Sequence, residues 1–121
     1  MKNNLILDDE EKARHLLARI IKLEGFDVLE APDLMSGLKK LESKDIDVIL
    51  RDVKLPDGNG VKFLQKVKAN FPFTEVIVLT ANGKISDGAQ AMKNGAFDYI
   101  VKDDDNDKLF RFCKMLWKKY K

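Results

Sequence analysis

Short apolar runs that end in acids alternate along this chain with longer segments whose apolar residues recur every three or four positions. Leu5 to Leu7 is a three-residue apolar run closed by Asp8, Asp9 and Glu10. From Glu10 to Glu24 the residues Ala13, Leu16, Leu17, Ile20 and Ile21 fall on one helical face, with acids in the first turn and Gly25 just past the end. Phe26 to Ala31 reads as a second strand, and Leu34, Leu38 and Leu41 mark a second helix from Pro32 to Ser43. Ile46 to Leu50 is a buried strand stopping at Arg51 and Asp52, where Pro56, Asp57, Gly58, Asn59 and Gly60 form a loop of turn residues. Gly60 to Phe71 is a third helix with Val61, Leu64 and Val67 inward, ended by Pro72.

The same alternation continues to the end. Glu75 to Thr80 is a strand, and Asn82 to Gly95 a helix with Ile85, Ala89 and Met92 on one face. Asp98 to Val101 is a short last strand, and a final helix from Asp105 carries Leu109, Phe112, Cys113, Leu116 and Tyr120 as its stripe. Five strands alternating with five helices over short connections predict an α/β domain: a parallel sheet with right-handed crossovers and helices on both faces.

Composition narrows the class. At 121 residues and 45% hydrophobic content the chain fits one domain, 1–121, with one core. A formal net charge of +2 supplies no field toward nucleic acid or anionic lipid. Lys114, Lys118, Lys119 and Lys121 lie near a helix C-terminus, where the dipole accounts for them, so no direct nucleic-acid binding is expected. The single cysteine excludes an intramolecular disulfide and agrees with a reducing compartment, and the opening apolar run is too short for a signal peptide or a membrane span. A cytoplasmic location is the expectation.

The chemistry lies at the strand ends. Asp8 and Asp9 follow the first strand, Asp52 the third, Thr80 the fourth and Lys102 the fifth. In a parallel sheet these ends share one edge, so three carboxylates, a hydroxyl and an ammonium converge where open α/β sheets bind ligands. Three close carboxylates need a compensating cation, and oxygen-only ligands of this charge suit Mg²⁺ beside a phosphoryl group. These are the parts for phosphoryl transfer onto Asp52. Singly, each residue has a plainer reading: Asp8 and Asp9 as turn acids or a helix N-cap, Thr80 and Lys102 as strand ends, Tyr99 as a core aromatic. His15 reads as a surface residue and Cys113 as packing.

Asp8-Asp9-Glu10, the segment from Asp52 to Gly60, Val78 to Ala81, and Gly95 to Lys102 together resemble the receiver domain of bacterial two-component response regulators. The stretches Lys54 to Gly60 and Thr80 to Lys102 are most similar to nitrogen-regulation-type receivers of enhancer-binding transcription activators. The resemblance covers essentially the whole chain. It implies a flavodoxin-like doubly wound (βα)5 fold with strand order 2-1-3-4-5. It implies that Asp52 accepts a phosphoryl group from a phosphohistidine of a sensor histidine kinase. Asp9 is then expected to bind Mg²⁺ directly and Asp8 largely through water, with the Lys54 backbone carbonyl completing the protein ligands. Thr80 and Lys102 are expected to hold phosphoryl oxygens, and Tyr99 to turn inward when Thr80 moves. The face made by the fourth helix, fifth strand and fifth helix is expected to control a homodimer or an output domain, with Phe110 and Trp117, which widen the apolar stripe of the last helix, as the candidate interface residues.

Two features depart from the pattern. Proline usually follows the lysine in that family, whereas Asp103 follows Lys102 here, which implies an altered loop and slowed phosphorylation. Arg51 is an odd residue for a buried strand tip and is expected either to reach solvent or to pair with an acid. Three rival readings follow. A flavin or nucleotide binder needs a Ser/Thr/Gly-rich loop after the first strand, where this chain has acids. A Mg²⁺-dependent phosphohydrolase needs a cap and a general acid near Asp52, so no turnover of an external substrate is expected, only self-phosphorylation and self-dephosphorylation. A receiver that signals by binding without phosphorylation is kept open by Asp103.

Overall fold

The computed structural model describes residues 3–52, 60–80, 92–93, 95–96 and 98–101, with the backbone alone for Asp52, Gly60, Val61, Thr80 and 98–101. Within these residues the order is β1 (Asn3–Leu7), α1 (Glu11–Leu23), β2 (Asp27–Ala31), α2 (Leu34–Ser43), β3 (Val48–Asp52), α3 (Gly60–Asn70), β4 (Glu75–Thr80) and β5 (Asp98–Val101). All four strand pairs are parallel, and the sheet runs β2-β1-β3-β4-β5. This is the expected order. The expected helices over Asn82 to Gly95 and from Asp105 onward lie outside the described residues, apart from a helical turn at Met92 and Lys93.

The strands are almost continuously apolar because helices cover both faces. Leu5, Leu7, Ile49, Val76 and Val78 pack with Leu34 and Leu41 of α2 and Phe63, Leu64 and Val67 of α3. Ile6, Val48, Leu50, Ile77 and Leu79 pack on the other face with Ala18 and Ile21 of α1. Alternate residues of each strand therefore feed separate cores.

Helix ends follow local chemistry. Gly25, at φ 91°, closes α1 by donating its N–H to the Lys22 carbonyl at 2.9 Å. Asp33 caps α2, its Oδ1 accepting the Ser36 N–H at 2.7 Å, and that bond holds the carboxyl below its ordinary range. α1 differs from the expected stripe. Leu16 is 51% exposed, while Ala18 is buried, so the inward face runs through Arg14, Leu17, Ala18 and Ile21. Ala18 and Ile21 of this stripe join the core formed by Ile6, Val48, Leu50, Ile77 and Leu79.

The amino-terminal edge of the sheet is tied by polar bonds. Asn3 N–H donates to Asp47 Oδ2 at 2.8 Å and its Nδ2 to the Asp45 carbonyl at 2.8 Å. The buried Thr74 hydroxyl donates to the Ile46 carbonyl at 2.6 Å, and the Glu75 N–H to the Asp47 carbonyl at 3.0 Å. These bonds fix how β1, β3 and β4 enter the sheet, and so set the level at which they leave it.

Gly37 lets α2 sit directly on β1, for a Cβ there would stand 2.5 Å from Leu7 Cδ2. Overpacking costs about 1–3 kcal/mol and the helix gain of alanine returns about 1. Gly37→Ala is expected to destabilise the fold by about 1 kcal/mol in urea titration, with the m-value unchanged. Because the Asp33 pKa is lowered on folding, its stabilisation is present above its unfolded value and is lost as pH falls through the lower folded one. Asp33→Ala is therefore expected to lower the melting temperature at neutral pH, and the gap should close in acid.

Candidate functional site at the carboxyl edge of the sheet

Register decides what meets here. Leu7 of β1 pairs with Arg51 of β3, Asp52 with Leu79 of β4, and Thr80 with Val101 of β5. Asp8 continues β1 by one step, donating its N–H to the Ala31 carbonyl at 3.2 Å. Asp8, Asp52 and Thr80 thus end three adjacent strands within one residue of the same level, and neighbouring strands lie only about 4.8 Å apart. Tyr99 sits opposite Val78, two residues before the partner of Thr80. Lys54, Lys102, Asp103, Phe110 and Trp117 lie outside the described residues.

The two acids after β1 are not equivalent. Asp8 is 4% exposed, and its Oδ1 accepts the Glu10 N–H at 3.0 Å, an Asx turn that bends the chain toward α1. Asp9 is exposed. Neither is the helix cap: Glu10 holds that position and makes no side-chain capping bond. A buried carboxylate beside an exposed one, both at a strand end, gives hard oxygen donors open to solvent from one side. Such a donor set suits Mg²⁺ or Ca²⁺ and not a thiolate-seeking metal.

Sequence reasoning passed over Arg14. Its side chain is 11% exposed; Nη1 donates to the Asp8 carbonyl at 2.9 Å and Nε to Glu30 Oε1 at 3.2 Å. His15, half exposed as expected, places Nδ1 2.6 Å from the same Glu30 oxygen and Nε2 3.3 Å from Glu11 Oε1. An arginine in the first turns of a helix ordinarily reads as surface. The available signal was its spacing, three before Leu17 and four before Ala18 on the buried stripe.

Arg51 does not reach solvent. It is 3% exposed, on the α3 side of the sheet, with its guanidinium carbon 5.6 Å from the centre of the Phe63 ring. Its methylenes pack in the core and the planar cation lies over an aromatic face, which offsets part of its desolvation.

Comparison with known proteins gives a consistent picture. Residues 5–114 match the family described as response regulator receiver domain. An NtrX-like response regulator of Rickettsia bellii is 37% identical over 112 residues, which is 91% of this chain and 23% of that protein. The chain thus spans about a quarter of the length of the curated relatives it matches. The beryllofluoride-activated NtrC4 receiver domain dimer superposes with a TM-score of 0.90 at 33% identity, covering 100% of both chains. TrrA of Thermotoga maritima, in complex with Mg²⁺-BeF, superposes with a TM-score of 0.84 at 28% identity, covering 96% of this chain and 99% of that one. Among the described residues no helix is long and apolar enough to cross a membrane.

Asp8 and Asp9 are neighbouring carboxylates at an edge where the Asp52 backbone also ends, and like charges held close cost stability when no cation is bound. Asp8→Asn keeps the acceptor for the Glu10 N–H and removes one charge. It is expected to stabilise the protein in chelator by roughly 1 kcal/mol, read as a higher melting temperature.

Proposed function

This chain belongs to the response regulator receiver domain family, and from that premise we propose that Asp52 is its phosphoacceptor, charged by the phosphohistidine of a sensor histidine kinase. Receivers of the NtrX and NtrC type are signalling domains, and the proposed domain is the whole chain, 1–121. The observation that carries the reading is the common level of the strand ends, which sets the Asp52 backbone beside buried Asp8 and beside Thr80.

In the proposed transfer a carboxylate oxygen of Asp52 bonds to phosphorus as the phosphorus–nitrogen bond of the phosphohistidine breaks. The imidazole leaves with the electron pair and takes up a proton, and Asp52 becomes an acyl phosphate. Asp8, Asp9, Asp52 and the Lys54 carbonyl would hold Mg²⁺, whose charge when bound offsets that of the phosphoryl oxygens. The oxygen-only donors and the buried Asp8 carboxylate fit that ion. Thr80 donates its hydroxyl to one phosphoryl oxygen and Lys102 pairs with another. Movement of Thr80 frees the space into which Tyr99 turns, and the face of β5 with the fourth and fifth helices, carrying Phe110 and Trp117, passes the change to a second copy or an output domain that regulates transcription. The dimeric state of the activated NtrC4 receiver supports the dimer part of this reading.

The test is intact mass after incubation with acetyl phosphate, with Mg²⁺ or with chelator. A gain of one phosphoryl group that needs Mg²⁺ and is abolished by Asp52→Asn is expected. No gain under any condition overturns the phosphoacceptor assignment in favour of a receiver that signals by binding alone, the reading Asp103 keeps open.

A further inference from the structure

We propose that Arg14 is a positioning residue for the Asp8-Asp9 turn, and that Glu30 holds it in that role from the neighbouring strand. The inference rests on the Mg²⁺ site proposed above. The Asp8 carboxylate is oriented by its own bond to the Glu10 N–H, at 3.0 Å. Asp9 is exposed, so the direction of its side chain depends on the backbone that carries it. The peptide joining Asp8 to Asp9 has its oxygen held by Arg14 Nη1 at 2.9 Å. Arg14 thereby fixes the plane from which the Asp9 carboxylate projects.

A guanidinium suits this because its donors form a rigid fork. Nε is bound to Glu30 Oε1 at 3.2 Å, so rotation that would release the Asp8 carbonyl would also break that ion pair. Glu30 stands opposite Ile6 in the β1–β2 register, one step before the strand ends, which anchors the fork to the sheet and not to α1 alone. Its side chain is in turn held by His15 Nδ1 at 2.6 Å. Glu30 also has an electrostatic role. A cation placed against an acid pair weakens the attraction of that pair for Mg²⁺, and a paired carboxylate cancels the effect over the few ångströms that matter.

The two roles separate experimentally. Arg14→Lys keeps the charge and loses the fork; Glu30→Gln keeps a hydrogen-bond acceptor and loses the compensating charge. Mg²⁺ affinity of the unphosphorylated protein would be measured by calorimetry, with metal-free melting temperatures alongside. Arg14→Lys is expected to weaken Mg²⁺ about tenfold, as loss of a group that orients a metal ligand does. Glu30→Gln is expected to weaken it severalfold, and the double variant to fall short of the product of the two effects. Affinities within twofold of wild type in both variants, whatever their melting temperatures, would overturn the inference. Should Arg14→Lys not fold, Glu30→Gln decides alone, since Glu30 is 24% exposed on the side of the sheet. Wild-type protein that binds no Mg²⁺ would instead overturn the metal site itself, and this inference with it.

Discussion

Parallel pairing of β3 between β1 and β4 is the constraint on which everything else depends. β1, β3 and β4 each contribute alternate side chains to two separate cores, so a slip of one residue would turn both cores inside out. That penalty locks Leu7 to Arg51 and Asp52 to Leu79. Asp8 and the Asp52 backbone inherit their common level from this apolar register. Polar bonds at the opposite edge, from Asn3 to Asp47 and from Thr74 to Ile46, reinforce the same alignment.

Much of this was legible in the residues. Strand positions were plain because continuous apolar runs closed by acids leave few alternatives, and β4 and β5 begin and end where the pattern puts them. β3 was displaced by two residues at each end, because Arg51 and Asp52 look like punctuation while their backbone still pairs with Val78 and Leu79. The rotation of α1 was hidden for a related reason. Periodicity counts Leu16 as apolar and Arg14 as polar, but the fold buries by position, and an arginine whose Nε and Nη1 are hydrogen-bonded can end a buried stripe.

The candidate site divides in the same way. Residue order sufficed to place Asp8, Asp52 and Thr80 at neighbouring strand ends, since topology alone brings those ends together. The partners Arg14, Glu30 and His15 come from different elements and meet only through side-chain geometry, which no spacing encodes. Arg51 is odd for a strand tip, and of its two expected destinations solvent is excluded by its burial, while its cation over the Phe63 ring is a contact that spacing does not encode.

The polar belt at the amino-terminal edge lies at the opposite end of the strands from the candidate site. Five-residue strands set these edges roughly 17 Å apart, and Phe73, 90% exposed, projects beside the belt. A dye or tether attached at Phe73 would report from the edge of the sheet opposite Asp8, away from the candidate site.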